Sequence, residues 1–112
     1  MIIELYEESR EDINILITAE IKSNRDFLLL GRDSGKLVQE LKGNWEYEYN
    51  LSIRKSDKDI LIKKLGPEYP FIENDEDFMN WLQLNYSHNQ GFSAFLKLVE
   101  KKNITKDLFF WP

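Results

Sequence analysis

The chain has 112 residues, a formal net charge of −5 and no cysteine, with a pI near 4.9. That length suits one domain with a modest core. The missing cysteines exclude a disulfide framework and any thiolate zinc site, and the acidic balance argues against a nucleic-acid binder, which carries a basic patch or stripe.

Aromatic residues make up 13% of the chain, so the core can be dense despite a mean hydropathy of −0.51. The first stretch, MIIELYEESRED, turns acidic from Glu4, unlike the basic start and apolar run of a signal peptide. No apolar run approaches the roughly 20 residues that cross a bilayer. The expectation is one soluble, cytoplasmic domain over residues 1–112, with no membrane partner.

Ile2 to Glu7 reads as a first strand. In DINILITAEIK, Asp12 to Lys22, Ile13, Ile15, Ile17, Ala19 and Ile21 alternate with Asn14, Thr18, Glu20 and Lys22, with Leu16 as the one apolar residue on the polar side. Period-two alternation marks a strand with one buried face. Ser23 to Arg25 supplies a turn, and Asp26 to Leu30 returns as a third strand, completing a hairpin.

Gly31 then reads as a strand end, Asp33 or Ser34 as the cap of a short helix, and Gly43 as its left-handed C-terminal residue. WEYEYNLSI, Trp45 to Ile53, alternates without a break and is the clearest strand in the chain. A second helix follows, capped by Ser56, with Asp57 and Asp59 at its positive end, Lys63 and Lys64 at its negative end, and Gly66 and Pro67 as the stop. Asn74 caps a third helix whose face is Phe78, Trp81, Leu82 and Tyr86. A fourth carries Phe92, Phe95, Leu96 and Val99. DLFFWP closes the chain as a short strand or docked tail, with Leu108 and Phe110 inside and Phe109 and Trp111 partly outside.

One-sided strands and late amphipathic helices point to α+β architecture. The expected form is a two-layer sandwich, a mainly antiparallel sheet of four to five strands with about four helices on one face. The other sheet face is left open, with Glu46, Glu48, Asn14, Thr18 and Glu20 on it.

The stretch LLLGRDSGKLV invites a nucleotide reading, and fails it. A phosphate loop needs four residues between its glycines and a hydroxyl residue after the lysine. Gly31 and Gly35 have three between them, and Leu37 follows Lys36. Ser34 sits outside the G-x-S-x-G frame of a nucleophile elbow. His88, the one histidine, lies in a loop and offers a metal little company. ENDED, Glu73 to Asp77, lacks the frame of a calcium loop and suits a helix start instead. No cofactor and no metal are expected.

The many carboxylates leave two readings open: a glycosidase-like catalytic pair, which their number allows but no other feature supports, and a surface that faces a basic partner. The candidates are Asp33 at a turn, Glu46 and Glu48 on the alternating strand, the patch of Glu68, Glu73, Asp75, Glu76 and Asp77, and Trp111 as an aromatic anchor.

The element order is a hairpin, then GRDSGKLVQELKGNWEYEYNLSI, then a short helix closed by glycine, then helices and a terminal FFW. Over Asp26 to Leu65 and the end of the chain, it resembles small bacterial immunity proteins of polymorphic toxin and contact-dependent growth inhibition systems. The resemblance implies a cytoplasmic, non-enzymatic antidote that binds one cognate toxin domain, often a nuclease, and blocks its active site or substrate access. It implies a monomer in a one-to-one complex rather than a homo-oligomer. It carries no toxin-binding motif across, so the candidate residues above rest on their own chemistry. The alternative is a small acidic secretion chaperone or adaptor, expected to be a stable homodimer holding an extended client segment.

Overall fold

A computed structural model describes residues 1–111 of the chain. Among these residues the order of elements is β1 (Ile2–Ser9), β2 (Asn14–Ile21), β3 (Phe27–Ser34), α1 (Lys36–Lys42), β4 (Glu46–Ile53), α2 (Lys55–Leu65), α3 (Asp75–Tyr86), α4 (Gly91–Lys101) and β5 (Asp107–Trp111). The five strands form one antiparallel sheet in the order β1-β2-β3-β4-β5. The fold is the expected α+β sandwich.

Alternation decides which layer each strand residue joins. Leu5, Ile17, Ala19, Ile21, Phe27, Leu29, Leu51 and Ile53 are buried and meet Leu61, Leu65, Phe78, Met79, Trp81, Leu82, Phe92, Phe95 and Val99 from the helices. Phe27 is the hub, with its ring 5.5 Å from both Phe78 and Phe95. Edge-to-face and tilted rings at such distances add to the stabilisation from area burial alone.

The β2–β3 turn is fastened to the helical layer. Arg25 takes a left-handed backbone, φ 71°. The Asp26 side chain accepts from the Lys55 N–H at 2.8 Å, satisfying a free donor in the first turn of α2. Ser56 is therefore not the cap of α2: the helix already starts at Lys55, after Arg54. Asn74 does cap α3, accepting from the Asp77 N–H at 2.8 Å, while the Asp77 carboxylate accepts from the Glu73 N–H at 3.0 Å.

Gly31 does not end β3. The strand runs on to Ser34, which is no helix cap either; α1 is preceded by Gly35 at φ 118°, without a side-chain cap. Gly31 is needed mid-strand because the Tyr49 ring lies over it: a β-carbon there would sit 1.8 Å from Tyr49 Cε2. Trp45 falls outside β4 and is exposed. Phe110 is not inside: it shares the side of Leu108, yet is 54% exposed and stacks on Tyr47. Gly43 has the left-handed conformation expected of it.

Candidate functional site

The strand registers place every outward-pointing sheet residue in a row across the face opposite the helices. One row runs Ile2, Glu20, Leu28, Ser52, Asp107. The next runs Glu4, Thr18, Leu30, Asn50, Phe109. The third runs Glu7, Leu16, Arg32, Glu48, Trp111. The last holds Ser9, Asn14, Ser34 and Glu46.

Leu16, Leu28 and Leu30 thus form an apolar strip in mid-sheet. Phe109 and Trp111 extend the apolar surface at one edge, stacked with centroids 5.6 Å apart. Around the strip stand the carboxylates Glu4, Glu7, Glu20, Glu46, Glu48 and Asp107. Among the described strand residues, Arg32 is the one cation on this face. Its Nε donates to Glu48 Oε1 at 2.9 Å, and a second guanidinium nitrogen reaches the same oxygen. Hydrogen bonding to Glu48 raises the Arg32 pKa above its ordinary value.

Two shallow clefts flank this pair. Glu46, Glu48, Asn50 and Trp111 line one of about 340 Å³. Glu7, Ser9, Asn14, Leu16 and Ser34 are among the residues lining the other, of about 280 Å³. Asn50 lines the first cleft, and its Oδ1 is buried with no hydrogen-bond donor among the described residues.

The expected contact residues divide. Glu46, Glu48 and Trp111 come together here, with Trp111 paired across the strands to Glu48. Asp33 lies on the opposite, core-facing side, where it accepts from the Tyr49 hydroxyl at 2.9 Å. Burial pushes its carboxyl above the usual range, against the opposing pull of that hydrogen bond.

Glu68 to Asp77 belong to the helical layer. Asp75 is committed internally: it holds Lys58 Nζ at 2.7 Å and Arg25 Nε at 2.8 Å. Burial raises its carboxyl pKa, but hydrogen bonds from Arg25 and Lys58 outweigh this and hold it below the usual range. Glu68 pairs with Lys102 at 2.7 Å, Glu73 and Asp77 serve the helix start, and Glu76 is exposed. The patch therefore does not merge with the Glu46–Glu48 strip.

Phe109 is expected from sequence to lie partly outside with Trp111, whereas sequence alone does not single out Leu28, Leu30 or the β1 carboxylates. Their signal was present: three consecutive leucines in a strand must send Leu29 one way and its neighbours the other. Leu16, an apolar exception on the polar side of β2, marks the same strip.

No helix among the described residues is long and apolar enough to cross a membrane. No group of three or more metal-ligating side chains occurs among them. Neither family models, nor curated proteins, nor solved structures match the chain.

Proposed function

We propose that this chain is a non-enzymatic immunity protein that holds a basic toxin domain, such as a nuclease, on its open sheet face. The observation that carries the reading is a sheet face left uncovered by the helices, with a leucine strip between rows of carboxylates and a stacked Phe109–Trp111 pair at its rim. Apolar centre, aromatic anchors and charged surround are the anatomy of a recognition surface.

The charge selects the class of partner. A second acidic face laid on this one would set carboxylate against carboxylate. A basic face neutralises them, and complementary potentials speed encounter. A nuclease is basic where it grips phosphates, so carboxylates can take the positions of the substrate's phosphates and shut out nucleic acid.

The contact set is then Glu46, Glu48 and Trp111, joined by Glu4, Glu20, Leu16, Leu30 and Phe109. Asp75 and Asp33 leave it, because their carboxylates serve the fold.

The test is to mix this chain with any toxin domain that a neighbouring reading frame encodes. A stable complex with one toxin per chain and loss of toxin activity are expected, with Glu20→Lys plus Glu46→Lys weakening the complex. A toxin that stays fully active with this chain in excess removes the reading for that pair.

A further inference from the structure

The sheet has two edges, β1 and β5, and unpaired edges are templates for further strands. They are not equivalent. β1 is guarded by a register shift between Glu4 and Tyr6 and by Glu4, Glu7 and Glu8. β5 runs in unbroken register with β4 and carries one charge, Asp107. Phe109, Phe110 and Trp111 on it are 50%, 54% and 48% exposed.

We propose that two copies of this chain pair antiparallel through β5, joining their sheets edge to edge. A two-fold axis at Phe109 uses the whole strand. It sets Phe109 against Phe109 of the other copy, Leu108 against Phe110, and Asp107 against Trp111. Aromatic and aliphatic cross-strand pairs are among the favourable ones, and no like charges meet. The arrangement closes on itself, so no apolar edge is left to propagate.

Charge argues for a second copy here and against it elsewhere. A two-fold at β1 brings carboxylates onto carboxylates, and so does stacking the open faces. Of these three contacts, only the β5 seam avoids that repulsion. The pairing departs from the lone monomer implied by the family resemblance, while leaving one open face per chain for a partner. The axis stands perpendicular to the sheet, so both faces point the same way. A dimer is also what the chaperone alternative expects, and the two readings part on the client, a folded domain or an extended segment.

Sedimentation of the full chain over a wide concentration range tests the seam. The native chain is expected to dimerise. Phe109→Lys sets two ammonium groups at the axis and is expected to weaken the dimer more than about tenfold. That ring is half exposed, and a native-like circular dichroism spectrum with cooperative unfolding shows that the fold survives, while the melting temperature itself falls with the lost association. Trp111→Lys instead faces Asp107 of the other copy at two places, so the dimer is expected to persist or tighten. A native chain that stays monomeric at millimolar concentration overturns the proposal and leaves β5 to another protein's strand. A dimer indifferent to Phe109→Lys, or weakened equally by both variants, overturns it too.

Discussion

Lys58 Nζ lies 2.7 Å from Asp75 Oδ1 with the lysine side chain wholly buried. The same ammonium donates to the Arg25 carbonyl at 2.7 Å. Three elements, the β2–β3 turn, α2 and α3, are clasped at one point. Removing one partner of a buried pair leaves the other uncompensated and costs about 3–5 kcal/mol. Asp75→Ala is expected to lose that much in urea unfolding. Lys58→Met is expected to lose less, because Asp75 keeps Arg25 and the methionine fills the space.

Asp75 also sets a pH dependence. Its folded pKa lies below the unfolded value of about 3.9. The folded state therefore binds that proton more weakly, and the stabilisation is complete above the unfolded value. It is lost as pH falls through the depressed folded value. Acid titration of the native chain should show this loss, and Asp75→Asn should flatten that segment of the curve.

Asp33 has the opposite sign. Its folded pKa is raised by burial, so stability declines as pH rises from the ordinary carboxylate value through the raised one. Asp33→Asn still offers an oxygen to the Tyr49 hydroxyl and removes the ionisation. Relative to the native chain, the variant should gain stability across that window, measured by melting temperature against pH.

Gly31 and Tyr49 should behave as a coupled pair. Gly31→Ala forces a methyl group into the ring and is expected to cost about 1–3 kcal/mol by overpacking. In a Tyr49→Ala background the clash is gone, so the two losses should sum to more than the double variant shows. A double-mutant cycle in urea measures the difference.

Asn74→Ala should cost about 1 kcal/mol through loss of the α3 cap. The loss should appear mainly as a lower urea midpoint with the slope unchanged.

Periodic features were legible in the sequence. The alternation from Tyr47 to Ile53, the Asn74 cap and the Gly43 stop all express preferences of a few neighbouring residues. Contacts between distant residues left no such trace. Lys58 stands in a polar run at the start of α2, and nothing nearby says that it is buried against Asp75, 17 positions on. Gly31 reads as punctuation in the sequence because the ring that needs it comes from another strand. The open face was half legible: the carboxylates at 46 and 48 fell where alternation put them. The leucine strip needed the register of β3 against its neighbours. Phe110 is exposed although it is on the side of Leu108, because alternation gives the side of the sheet, not whether a helix reaches far enough to cover it.

The strand order has a kinetic consequence. β1 to β4 follow one another in the sheet as they do in the chain, so their pairings close short loops. β5 joins β4 only after α2, α3 and α4, and the closure of that long loop carries a larger entropic cost. On the ribosome, β4 is the growing sheet's last strand until residues 107–111 emerge. For that interval the outer backbone groups of β4 lie unpaired, and the arrival of β5 moves the open edge of the sheet one strand outward.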